Sequence, residues 1–135
     1  MFALSADTMR MRCAQALHGP LAAALVGELV EDLARRGGLD AKLENGRVPF
    51  NVQVNVGRLR DMWFKKITAA WAFDLSRDGV GLITDRPLPV GETYYVEMPS
   101  VTGEEQALAA KVAYSFKLFG SLHRVGMTFV EPTGD

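Results

Sequence analysis

The chain changes its hydrophobic period near residue 50, and this change limits the folds that it can adopt. From Phe50 to Val56, apolar and polar residues alternate strictly, which is the pattern of a half-buried β-strand. Before residue 37, leucines instead recur every four residues from Leu17 to Leu33, the spacing of one helix face. The sequence therefore predicts an N-terminal helical segment followed by a β-rich remainder.

The helical segment is predicted to contain two helices. Gly19-Pro20 interrupts the leucine pattern, and proline is tolerated in a first helical turn but not in a helix interior. We predict a short helix from about Ala6 to Leu17 and a longer one from Pro20 to Arg36, ended by Gly37-Gly38. The apolar stripe of the longer helix must pack on the rest of the chain or on a second copy. We slightly favour a homodimer through this helix.

Six short strands are predicted after residue 47. Turn-forming sequences separate them, and short strands at close spacing favour a small antiparallel barrel, because closure removes the sheet edges. The strands are expected at residues 50–56, 66–73, 79–85, 93–98, 107–116 and 124–130. The expected inward-facing residues are Val52, Val54, Val56, Ala70, Ala72, Leu82, Val96, Val112, Met127 and Phe129. The predicted fold is mainly β, with a barrel over residues 47–132 preceded by a helical extension over residues 1–37.

Composition excludes several classes of function. The 135 residues include 15 Lys and Arg against 16 Asp and Glu, so no overall field marks a binder of nucleic acid or of a membrane surface. One cysteine and two histidines do not support a disulfide framework or a metal site. No apolar run approaches the length of a bilayer span and no targeting signal is evident, so we expect a cytoplasmic protein. The common catalytic motifs are missing, so we do not expect an enzyme.

Positive charge is concentrated in the middle of the chain. Between Arg35 and Lys66 there are eight cations and three acids. Such a cluster can be the solvated end of a helix and of strands, or it can form an anion site at one end of the barrel.

A second informative stretch is Asp74-Leu75-Ser76-Arg77-Asp78-Gly79, a D-x-S-x-x-G element between two predicted strands. A P-x-x-x-G turn at 87–91 and a closing V-G-x-x-F strand at 125–129 follow it. In their order and spacing these elements resemble the PilZ domain, the bacterial receptor module for cyclic di-GMP. The resemblance covers roughly residues 47 to 132 and implies a six-stranded PilZ-type barrel, a non-enzymatic signalling role, no cofactor and an unidentified protein partner.

The resemblance also implies a ligand site. The Asp74 carboxylate can accept paired N–H donors from a guanine edge, Ser76 offers a hydroxyl, and Gly79 permits close approach or a positive φ. Phosphates call for the bidentate donors of arginine. In the family these come from an R-x-x-x-R element before the Asp, and Arg47 stands at its second position.

The first arginine of that element is replaced by Leu43, and the nearest cation, Lys42, is out of register by one residue. Additional phosphate contacts are expected from Lys42 or from three arginines: Arg35, Arg36 and Arg77. We therefore expect a cyclic di-GMP site of weakened affinity. The alternative is a degenerate member that binds no nucleotide and acts as a protein–protein adaptor.

Overall fold

Six antiparallel strands close into a barrel in the computed structural model of the chain, which describes residues 19–37, 46–60, 63–99, 101 and 103–131. A helix, α1, precedes the barrel. The elements are α1 (Gly19–Gly37), β1 (Val48–Arg60), β2 (Trp63–Leu75), β3 (Gly79–Thr84), β4 (Thr93–Pro99), β5 (Glu105–Phe119) and β6 (Leu122–Phe129). Neighbouring strands follow the order β1-β2-β3-β6-β5-β4, and β4 pairs with β1 to close the barrel.

The predicted mainly β fold is confirmed, and each of the six predicted strands is present. Several strands are longer than predicted, because residues flanking the alternating stretches still pair with a neighbouring strand. Eight of the ten predicted inward-facing residues are buried. The other two, Val52 and Phe129, are partly buried against the same core.

Helix α1 confirms the longer predicted helix, whereas the short one predicted at 6–17 lies outside the described residues. Its apolar residues Leu25, Val26, Leu29 and Val30 are buried in one cluster with the barrel core. The described part of the stripe therefore packs on its own barrel, and a homodimer through this helix stays a prediction. Helix α1 does not have the length and hydropathy to cross a membrane.

Register shifts at one end of the barrel turn side chains outward. In β2, Ala72 and Leu75 are both fully buried although three positions separate them, because the pairing with β3 shifts between Ala72 and Asp74. Asp74 therefore points to the outside of the barrel instead of continuing the inward series. A similar shift between Val112 and Tyr114 turns Tyr114 outward in β5. Bulges of this kind are frequent next to functional sites, where they redirect a side chain.

Candidate functional site

An arginine immediately before β1 and an aspartate near the end of β2 form the centre of the candidate site. Nε and Nη2 of Arg47 donate to the two carboxylate oxygens of Asp74, each over 2.9 Å. The strand register produces this contact, because Val48 pairs with Leu75 and Pro49 with Asp74. A bidentate contact of this geometry is among the strongest that two side chains make.

The Asp74 carboxylate raises the pKa of Arg47, mainly through these hydrogen bonds. Burial of the guanidinium acts in the opposite direction, and Tyr114 makes a smaller Coulombic contribution. Arg47 is thus cationic at any pH at which the fold persists. The guanidinium has five N–H donors, so the two bonds to Asp74 leave three for another acceptor.

The turn after Asp74 is held by the Ser76 side chain. Its Oγ accepts hydrogen bonds from the backbone N–H groups of Asp78 and Gly79, each over 3.2 Å, while the Ser76 N–H donates to the Gly79 carbonyl over 2.9 Å. Ser76 is buried, at 5% exposure. The structure therefore uses this hydroxyl to shape the turn, and it does not present it on the surface.

Gly79 meets the expectation of close backbone approach, and its φ is not positive. A Cβ at this position would overlap the carbonyl oxygen of Met127 in β6. Only glycine fits here without moving a strand.

Two further glycines lie beneath the side chains of Asp74 and Tyr114 on the outer face of the barrel. Gly81 in β3 and Gly126 in β6 are paired neighbours on the outer face. A Cβ on Gly81 would overlap Oδ1 of Asp74, and one on Gly126 would overlap the ring of Tyr114. The carboxylate and the phenol ring therefore lie over the glycines from opposite sides.

Further aromatic rings and a second arginine lie on the same outer face. The rings of Tyr114 and Phe116 stack with centroids 5.9 Å apart, and the guanidinium of Arg124 lies 4.6 Å from the centroid of Phe73. Trp71 adds a ring that is 47% exposed on the same outer face. The face thus offers flat apolar surfaces beside cations, which suits a ligand with planar bases and anionic groups.

Three of the other cations proposed for phosphate contact pair with acids of helix α1. Nη2 of Arg77 donates to Glu31 of helix α1 over 2.8 Å, and Arg35 and Arg36 both pair with Asp32 of their own helix. Lys42 and Leu43 lie outside the described residues.

Another arginine of the positively charged segment 35–66 also pairs with an acid. Arg58, near the other end of β1, pairs with Glu92 and lies over the ring of Tyr94. Arg35, Arg36 and Arg58 are thus paired with acids away from Asp74, and an anion site formed by the whole cluster stays a prediction.

The larger cavities lie elsewhere. Cavities of about 410 Å³ and 500 Å³ run alongside α1, with Ala23 and Arg77 lining both. Neither is lined by Arg47 or Asp74. The candidate site is therefore separate from both cavities.

Several of its residues were not singled out from the sequence. The sequence does not distinguish three of them from other strand residues, because their place at the site depends on cross-strand register: Tyr114, Phe73 and Arg124. Gly81 and Gly126 could have been recognised from the sequence, because an isolated glycine inside a strand pattern indicates that another group approaches the backbone closely.

A comparison with models of known protein families finds no match for this chain, and a search of curated proteins finds no significant relative. Among the described residues, no group of three or more His, Cys, Asp or Glu side chains is placed to hold a metal ion.

Proposed function

We propose that this chain is a non-enzymatic, PilZ-like signalling module that binds cyclic di-GMP on the outer face formed by β2, β3, β6 and β5. The observation that carries the proposal is the bidentate contact between Arg47 and Asp74. This contact joins Arg47, which stands at the second position of the R-x-x-x-R element, to Asp74 of the D-x-S-x-x-G element. A ligand with guanine edges and phosphates needs these two groups side by side.

Binding would exchange the partners of this ion pair. A guanine presents two adjacent N–H donors, which fit the two oxygens of Asp74 as the guanidinium of Arg47 fits them now. Arg47 would then direct donors to a phosphate, for which its geometry is equally suited. The exposed rings of Tyr114 and Phe116 would supply stacking surface for the bases.

Ser76 and Gly79 would act by positioning. The buried hydroxyl fixes the turn that follows Asp74, and Gly79 lets β3 approach β6. Both would hold the carboxylate in place without touching the ligand through their side chains. The signal would pass to a protein partner whose identity the sequence does not specify.

The adaptor alternative also has an observation in its favour. Both oxygens of Asp74 already accept hydrogen bonds from Arg47, so the pair is satisfied without a ligand. Because Leu43 replaces the first arginine of the element, a nucleotide finds one arginine there, Arg47. To bind, it must displace Arg47 from Asp74. In the adaptor, the pair would serve only to join β1 to β2.

Calorimetric titration with cyclic di-GMP tests the proposal, with GMP as the ligand control. The wild type should bind the cyclic dinucleotide, and Arg47→Ala should abolish binding. The matched control is Arg58→Ala, which removes an arginine from the other end of the same strand and should leave the affinity unchanged. Binding that survives Arg47→Ala would place the site elsewhere, and no heat of binding in wild type or Leu43→Arg would favour the adaptor.

A further inference from the structure

The second half of β5 has an open edge. Strand β4 pairs with β5 only over Glu105–Lys111, and the adjoining loop extends this contact by hydrogen bonds between Val112 and residues 91 and 92. Beyond that point, within the described chain, the segment 113–119 pairs with β6 alone. Its other edge presents backbone N–H and C=O groups without a neighbouring strand, which is the feature that favours pairing with another chain.

The side chains on this segment are unusually apolar for a surface. Tyr114, Phe116, Leu118 and Phe119 are 39%, 50%, 41% and 70% exposed. Lys117 is the single charged residue among positions 112–119. Edge strands that must stay unpaired are normally protected by charges, proline or a covering element; among the residues that the structure describes, this edge has a single lysine and no covering strand.

We propose that this edge pairs with the same edge of a second copy of the chain, antiparallel and with a two-fold axis at Phe116. In that register Phe116 lies opposite Phe116 of the second copy, and Tyr114 lies opposite Leu118. Directly opposed residues share one face of a sheet. The apolar side chains of the two copies would therefore meet on one face.

The charge pattern is compatible with a second copy and favours this register. Lys117 would lie opposite Ser115 of the second copy, so no two lysines face each other. A two-fold axis at Lys117 would oppose like charges, which destabilises a pair. The whole chain has a net charge of only −1, so two copies have little overall repulsion to overcome.

The expected association is weak. The three apolar side chains that meet on this face (Tyr114, Phe116 and Leu118) offer on the order of 300 Å² per copy, below the roughly 800 Å² typical of a stable interface. We expect a dimer that dissociates on dilution. The proposal does not depend on the nucleotide, although Tyr114 and Phe116 belong both to this edge and to the surface proposed for stacking on the bases.

Disulfide cross-linking tests the register, in a Cys13→Ser background that removes the natural thiol. In the Phe116→Cys variant the two thiols should oxidise to a covalent dimer, because opposed Cα atoms are about 4.5–5.5 Å apart, within disulfide range. In the Lys117→Cys variant the two Cα atoms would be about 8 Å apart, too far for a bridge. Val90→Cys, exposed in a loop, measures cross-linking by random collision.

Sedimentation velocity supplies the measurement without cysteines. The wild type should change from monomer to dimer between roughly 5 and 500 µM, and Phe116→Lys should remain monomeric while keeping the circular dichroism spectrum of the wild type. A wild type that is monomeric throughout, or Phe116→Cys that cross-links no faster than Val90→Cys, overturns the proposal. So does a monomer that binds vesicles of anionic phospholipid through Phe116 and Phe119, since the edge would then serve a membrane.

Discussion

Arg47 and Asp74 are 27 positions apart in the sequence, yet their side chains form two hydrogen bonds of 2.9 Å at the surface of the barrel. The two partners differ in exposure, at 31% for the arginine side chain and 9% for the aspartate. Removing one partner leaves the other charge unpaired, and the cost of this grows with burial. The pair therefore links the stability of the barrel to the groups that we propose for ligand binding.

We expect Arg47→Ala to destabilise the fold more than Asp74→Ala. The first variant leaves a nearly buried carboxylate unpaired, at a cost of about 2–4 kcal/mol, and the second leaves a guanidinium that can reach water, at about 1–2 kcal/mol. Urea denaturation of both variants and of the double variant measures the two costs and the coupling. Equal costs would contradict the assigned burial.

The ion pair between Arg58 and Glu92 is the control for this measurement. Its side chains are 45% and 50% exposed, and exposed pairs contribute less than about 1 kcal/mol. The same double-variant cycle on Arg58 and Glu92 should therefore give a smaller coupling than the cycle on Arg47 and Asp74. A larger one would mean that solvent does not screen the exposed pair.

A second prediction compares two glycines. Gly79→Ala should destabilise the fold by at least about 1–3 kcal/mol, because its Cβ would overlap the Met127 carbonyl and the strand must move. Gly27→Ala in helix α1 meets only the end of the Arg77 side chain, at 2.6 Å. That side chain can move aside, and alanine favours the helix by up to about 1 kcal/mol.

Thermal denaturation of the two variants checks this comparison. The melting temperature should fall for Gly79→Ala and should stay constant or rise for Gly27→Ala. A loss of stability in Gly27→Ala would show that the contact of Arg77 with Glu31 stabilises the fold more than an exposed ion pair normally does.

The barrel could be predicted from the sequence because its determinants are local. Strict alternation in β1 marks a half-buried strand whatever it pairs with, and the Ser76–Gly79 turn has residues that favour turns in any context. The helix stripe was equally clear. The surface that buries this stripe could not be predicted, because periodicity shows that a helix face must be buried and does not identify the surface that covers it.

The geometry of the candidate site depends on information that periodicity does not contain. Asp74 faces outward only because the pairing shifts after Ala72, and a one-residue shift moves a side chain to the other face. The position of Tyr114 follows from a similar shift in β5. Periodicity likewise does not show that Arg35 and Arg77 each pair with an acid of helix α1, and their contact with a phosphate stays a prediction.

A third prediction concerns the packing of helix α1. Leu29→Glu places a carboxylate at a position that is 5% exposed within the barrel core cluster, and burial of a leucine contributes about 1.5–3 kcal/mol before the cost of the charge is added. The variant should unfold at a much lower temperature. Ala24→Glu, on the exposed side of the same helix, should not. A folded Leu29→Glu protein that merely has a lower mass in sedimentation would instead show that the helix packs between copies.

The last prediction concerns ligand affinity and uses the departure at Leu43. A bidentate contact between arginine and phosphate contributes on the order of 1.5–3 kcal/mol, and each 1.4 kcal/mol changes the affinity tenfold. Leu43→Arg supplies the arginine that R-x-x-x-R places four residues before Arg47, so it should strengthen cyclic di-GMP binding about tenfold to a hundredfold. Leu43→Lys should give a smaller gain, because an ammonium group cannot form the same fork. Calorimetry of both variants in one buffer at one salt concentration checks the order; equal gains would indicate general charge attraction in place of a bidentate contact.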